Sequence, residues 1–151
     1  MGLDMYLTAR KFVSEYTNKE DFEKLNSVDF GQGEFPVRSI EVGVKYWRKA
    51  NAIHDWFVRE CQNGVDDCGE YRVEFEKMVQ LRDTCREVLA NRDKAEDLLP
   101  TTSGFFFGST EYDDWYFTDI ESTEATLTAI LESDTMDPSK YIWDYYYHSS
   151  W

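Results

Sequence analysis

Four residues able to move a proton or attack an electrophile lie within seventeen positions: His54, Asp67, Cys68 and Glu70. An imidazole beside a thiol makes a nucleophile, and beside a carboxylate it makes an acid–base pair. A helix carrying His54 sets Asn51 and Asp55 near it along one edge. Nothing in the spacing brings Cys68 to His54, so a structural histidine at a helix edge is the plainer expectation. The same side chains lack metal-ligand spacing: Cys61 and Cys68 are seven apart, with no CxxC and no HxxxH. The acidic pairs Asp66-Asp67 and Asp113-Asp114 lack the spacing of a calcium loop. Gly31-Gln32-Gly33 lacks the Gly-Lys-Ser/Thr of a phosphate loop, and Ser103-Gly104 is not a nucleophile elbow. No cofactor and no metal is expected, and no catalytic residue is assigned.

A second group is built for binding. Tyr46-Trp47-Arg48-Lys49 sets two rings beside two cations. Exposed, such a group stacks a base or holds a phosphate. Buried, the rings anchor the core and only the cations reach water, and this is the favoured reading. Trp47, Arg48, Asn51, His54, Asp67, Cys68 and Glu70 together form one candidate ligand site, with Lys49 or Arg72 as further phosphate partners.

The third group lies in the last third. Phe105 to Trp151 holds ten carboxylates, one lysine and thirteen aromatic rings. Glu111, Asp113, Asp114 and Asp119 surround Tyr112 and Trp115. On a helix this spacing predicts acids on one side and rings on the other. Such a face imitates the phosphates of a duplex or anchors a basic protein on Tyr112 or Trp115. The competing reading is a solvated helix side whose charge serves solubility alone. These six residues are the candidate protein-binding site.

These groups need elements to position them. Residues 3–7 suggest a first strand, and Ser14 to Leu25 a short helix or loop. Val37 to Lys45 alternates with period two and suggests a second strand, with Gly43 marking a bulge. The three- and four-residue steps of Tyr46, Ala50, Ile53, Phe57 and Cys61 predict a helix from Tyr46 to Cys61, ended by Asn63-Gly64. Tyr71-Arg72-Val73 suggests a short strand. A second helix is expected over Glu74–Ala90, and a third from Asp113 or Asp119 to Glu132. Ser103 to Ser109, with three consecutive phenylalanines, reads as a buried strand. Tyr141 to Tyr147 reads as the last strand, and on a free sheet edge it would favour pairing of two copies. The layout is α+β: about three main helices packed on a small, mostly antiparallel sheet, in a single compact domain over residues 1–151.

Composition bounds the rest. The chain has 151 residues, 42% of them hydrophobic, and a formal charge of −14. That is long and apolar enough for a real core. Non-specific phosphate binding needs clustered lysine and arginine, so direct nucleic-acid binding is not expected. No stretch approaches the ~18 apolar residues of a membrane span. Asp4 stands where a signal peptide wants basic residues, so the expectation is a cytoplasmic protein. Three cysteines cannot all pair, which fits reduced thiols.

Several strings resemble a family of small bacteriophage and prophage proteins. They are Met1-Gly2-Leu3-Asp4-Met5-Tyr6-Leu7, Tyr46-Trp47-Arg48-Lys49-Ala50-Asn51-Ala52-Ile53-His54, Asp67-Cys68-Gly69-Glu70-Tyr71, Leu99-Pro100, and Ser103 through Tyr112. The resemblance implies a context, the cytoplasm of an infected or lysogenic bacterium, and no activity. The leading expectation is a non-enzymatic accessory protein that binds a host protein, such as a nucleic-acid-binding or defence factor, through the acidic, aromatic surface. The alternatives are a small-molecule or nucleotide binder, or a small hydrolase using His54, Asp67, Cys68 or Glu70. Homo-oligomerisation stays open.

Overall fold

Strict alternation builds the sheet. The computed structural model describes residues 2–140 and 142–151. In β1 (Asp4–Phe12) Met5, Leu7 and Ala9 are sealed in the core, while Tyr6 between the first two and Arg10 after the last point the other way. This is the period-two pattern of a strand with one buried face. β2 (Ser39–Arg48) lies antiparallel to β1 and sets Trp47 opposite Met5. β4 (Asp144–Ser150) pairs with the other side of β1, with Tyr147 opposite Leu7 and Tyr145 opposite Ala9. β3 (Tyr71–Val73) completes the sheet beside β4. The order is β2-β1-β4-β3, antiparallel throughout.

Helices supply the second layer, as the α+β expectation requires. α2 (Asn51–Cys61), α3 (Phe75–Ala90) and α5 (Asp114–Leu131) send their apolar sides into the same core as Met5, Leu7, Tyr145 and Tyr147. Two shorter helices complete the set. α1 (Lys19–Asn26) buries no residue, and α4 (Ala95–Leu98) follows a 3-10 turn at Arg92–Lys94. Fully burying a Leu127 or an Ile120 stabilises by roughly 1.5–3 kcal/mol each. The aromatic core residues also satisfy their polar ends. Trp47 Nε1 donates to Thr123 Oγ1 at 2.8 Å, and Tyr147 stacks on Phe57 with ring centres 4.0 Å apart. No helix among the described residues is long and apolar enough to cross a membrane.

Four expectations are corrected. The helix expected from Tyr46 begins at Asn51, because Tyr46 to Arg48 pair with Asp4 to Tyr6 in the sheet and Lys49 turns the chain with a left-handed φ of 58°. Tyr46 is consequently exposed on the helix-free face of the sheet, and only Trp47 is a core anchor. Ser103–Ser109 is a turn and no strand: the Phe107 N–H closes on the Gly104 carbonyl at 3.1 Å, Phe107 is buried, and Phe105 is 94% exposed. β4 lies between β1 and β3, so its tyrosines are not on a free edge. Tyr141, at the expected start of that strand, lies outside the described residues, as does Met1 of the first string. The expected bulge is present: the β1–β2 register slips beside Gly43, where Leu7 faces Lys45 and Thr8 faces Gly43.

Candidate functional site

The turn between β2 and α2 carries the first wall of the site. Arg48 ends the strand, Lys49 holds its left-handed conformation, and Asn51 opens the helix. Two backbone bonds fix this geometry: Lys49 N–H donates to Leu3 O at 2.7 Å and Asn51 N–H to Lys49 O at 2.9 Å. A non-glycine residue at positive φ costs of order 1–3 kcal/mol and persists only where its surroundings enforce it. Two glycines make room for the long side chains. A Cβ on Gly2 would sit 3.1 Å from Lys49 Cε, and one on Gly108 would sit 3.0 Å from Lys49 Cβ.

Asn51 ties the second wall to the first. Its buried amide nitrogen donates to the carbonyls of Phe107 (2.9 Å) and Ser109 (2.8 Å), and its oxygen accepts from Thr102 N–H (2.9 Å). One side chain thus pins the Thr101–Ser109 loop over the start of α2. The third wall is the first half of α5. Asp113 caps that helix by accepting from Tyr116 N–H at 3.0 Å. Trp115 and Asp119 lie one turn apart on one side of the helix, the spacing that makes side chains neighbours. Between the three walls is a cavity of about 290 Å³, lined by Arg48, Lys49, Ser109, Glu111, Trp115 and Asp119, among others.

Its electrostatics are divided. Most lysines and arginines here are matched to a carboxylate, as Arg10 is to Glu41 and Glu70, Lys77 to Glu60, and Arg86 to Glu124. Arg48 and Lys49 have no such partner among the described residues; Arg38, Lys45 and Arg92 also lack one, but each of those three lies over an aromatic ring. Beside them α2 starts without a side-chain cap, since Ala50 supplies none. The N–H groups of Ala52 and Ile53 find no acceptor among the described residues. An uncapped helix start carries a partial positive charge that adds to the two cations. The opposite wall is acidic. Burial pushes the Asp119 carboxyl up to about 6, against the weaker pull of nearby Lys45 and with a further push from Asp113. Burial lowers Lys45 in turn, and Asp119 opposes that shift. The Asp119 carboxylate accepts no hydrogen bond among the described residues. The cavity therefore offers an anion site at one end, free acceptors at the other, and the indole of Trp115, 80% exposed, at its mouth.

The structure redistributes the sequence candidates. Glu111, Asp113, Trp115 and Asp119 from the protein-binding set face Arg48 and Asn51 from the ligand set across this one cavity. Tyr112 supports it from behind, its hydroxyl accepting from Thr101 N–H at 3.1 Å, while Asp114 stays outside on the surface. Trp115 stands among the acids instead of opposite them; the rings on the buried side are Tyr116 and Phe117. Trp47 is locked in the core.

His54 makes no hydrogen bond to Asp67, Cys68 or Glu70. His54 is 1% exposed, and both ring nitrogens are engaged, Nδ1 by the Tyr147 hydroxyl at 2.6 Å and Nε2 by Asp66 at 2.9 Å. Trp151 Nε1 donates to the other oxygen of Asp66 at 3.1 Å. Asp67 instead accepts from Gly69 N–H and the Tyr71 hydroxyl, Glu70 pairs with Arg10, and Cys68 is exposed. Arg72 is engaged by Glu74 and Asp144. Sequence reasoning missed the amides of Ala52 and Ile53 and the partners Asp66 and Tyr147. No local pattern announces them: Asp66 is one residue from the expected Asp67, and Tyr147 is 93 positions from His54.

No protein-family model, curated protein or solved structure matches this chain.

Proposed function

We propose that the protein is a non-enzymatic small-molecule binder, and that the cavity between the start of α2 and the first half of α5 receives a ligand with an anionic group and a flat ring. The observation that carries this reading is the pair of unmatched cations, Arg48 and Lys49, beside two open amides in a chain of charge −14. Both side chains are exposed and line the cavity, so they attract an anionic ligand there at little cost to the fold. The volume, about 290 Å³, sits at the small end of ligand pockets, which run from about 300 Å³ upward. The chemistry offered is capture and orientation. The buried histidine links Tyr147 in the core to Asp66, which is partly exposed, and the chain holds β4 against α2.

The test is a thermal-shift series with nucleoside 5′-monophosphates, ribose 5-phosphate and inorganic phosphate, on wild type and on Arg48→Glu/Lys49→Glu. A ligand at 100 times its Kd adds about 2.7 kcal/mol of apparent stability. A shift in wild type that vanishes in the double variant is the expected result. No shift with any probe, or equal shifts in both proteins, rules the cavity out as an anion site.

A second reading keeps the acidic, aromatic surface as a docking site for a host protein, inside the phage-infected bacterium that the resemblance implies. What favours it is the exposure of Trp115, next to Asp114 in the chain and lining the same cavity as Glu111, since large exposed rings concentrate binding energy. Recovery of a partner that survives Trp115→Ala and Asp114→Lys together counts against it.

A further inference from the structure

We infer that the cavity selects a guanine nucleotide: the base stacks on Trp115 with its N1–H and N2–H edge on the Asp119 carboxylate, and the phosphate lies toward Arg48, Lys49 and the amides of Ala52 and Ile53. This rests on the reading of the cavity as an anion-binding site and adds the identity of its other end.

Asp119 carries the assignment. It is half-buried in the cavity wall, charged in ordinary buffers, and without a hydrogen-bond donor among the described residues. Burial of a charged group without a partner is costly, so a ligand that brings donors is favoured over one that brings acceptors. Two carboxylate oxygens accept best from two parallel donors set side by side. Among the common bases only guanine presents that pair, N1–H next to the N2 amino group. Adenine sets an acceptor, N1, beside its single amino group. Uracil flanks one N–H with two carbonyls, and hypoxanthine keeps the N1–H but lacks the amino group.

The remaining lining agrees. Trp115 stands one helical turn before Asp119 on α5 and is largely exposed, and an exposed indole is the sequence-tolerant half of base recognition. Glu111, exposed at the mouth, suits ribose hydroxyls, which donate to carboxylates. Asp113 is committed to Tyr116 N–H as the cap of α5. The acids on the α5 side repel phosphate and the cations on the α2 side attract it, so the charge division orients the ligand one way round. A cavity of about 290 Å³ is of the size of one mononucleotide.

The test is calorimetric titration of GMP, IMP, AMP and XMP into wild type and Asp119→Asn, with thermal unfolding showing that both are folded. XMP matters because xanthine carries a carbonyl where guanine has its amino group. An asparagine at 119 donates to that carbonyl and repels the guanine amino group. Wild type should prefer GMP over IMP and AMP by roughly tenfold to a hundredfold, the discrimination of one bidentate pair. Asp119→Asn should lose GMP by a similar factor and gain XMP. A merely structural role for Asp119 cannot produce that exchange. Equal binding of all four nucleotides to wild type, or a uniform change in the variant, overturns the guanine assignment and leaves the anion site standing. Failure of every nucleotide together with phosphate and ribose 5-phosphate overturns both.

Discussion

Replacing Asp119 by asparagine should make the ligand-free protein more stable at neutral pH. Burial raises this carboxyl from 3.8 to about 6, because the cavity wall disfavours its charge more than Lys45 favours it. Two pH units on a fully enclosed group correspond to about 3 kcal/mol; Asp119 opens on the cleft, so solvent screening cuts this to about 1 kcal/mol. The sign follows from linkage. A group whose native pKa is raised lets the folded chain hold its proton longer than the unfolded chain does. Its favourable contribution is complete below 3.8 and is lost as pH climbs through about 6. Asparagine, neutral at every pH, escapes that loss. Removing the anion also costs Lys45 some of its compensation, which trims the gain without reversing it. The assay is urea unfolding of both proteins at about pH 4 and about pH 7.5, read as a difference so that the other titrating carboxylates cancel. The variant should gain about 1 kcal/mol at the higher pH and little at the lower. A variant less stable than wild type at neutral pH, or a gap that ignores pH, refutes the claim that Asp119 is an unmatched charge held for a ligand. A site residue whose removal stabilises the empty protein is the usual mark of function set against stability.

Asn51→Ala should cost about 2–4 kcal/mol, since three buried hydrogen bonds go and the groups left behind lose their partner; hydrogen exchange at the Thr102 amide should speed up, and an unchanged rate there counts against the clamp. Gly108→Ala should destabilise by about 1–3 kcal/mol and weaken anion binding, because Gly108 sits at φ +84° and a Cβ would press on Lys49. Gly43→Ala, with nothing near its Cβ, is the control that should do neither. Among the thiols, exposed Cys68 should react with a disulfide reagent in the native protein. Cys61 and Cys85, whose thiols burial pushes up to about 12, should react only on unfolding. Fast labelling of all three in the folded state would contradict the packing of α2 and α3.

Much of the fold was legible along the chain because helices and strands announce themselves by local period. Met5, Leu7 and Ala9 repeat every second residue, and Met78, Leu81, Cys85 and Val88 every three or four; each set is buried on one side as its spacing requires. The third helix was legible by the same local logic, an acidic first turn before an apolar run, although the sequence left its start open between Asp113 and Asp119. The expectation failed where a distant partner overrules local preference. Tyr46 to Arg48 fit a helical stripe, yet β1 recruits them as a strand. The three phenylalanines looked like a strand, yet no strand runs beside them, and glycine turns split them between core and solvent.

The site divides in the same way. Charge and residue type marked Arg48, Asn51, Trp115 and Asp119 as candidates from the amino-acid order alone. That they share one cavity was decided by tertiary packing, because Asn51 reaches across 51 to 58 positions of chain to hold the Thr101–Ser109 loop. The same packing gave His54 to Tyr147 and Asp66 and left Cys68 outside. A single residue reports its own chemistry, whereas a partner depends on how two separate elements meet on the sheet, and no pattern of period two or 3.6 encodes that meeting.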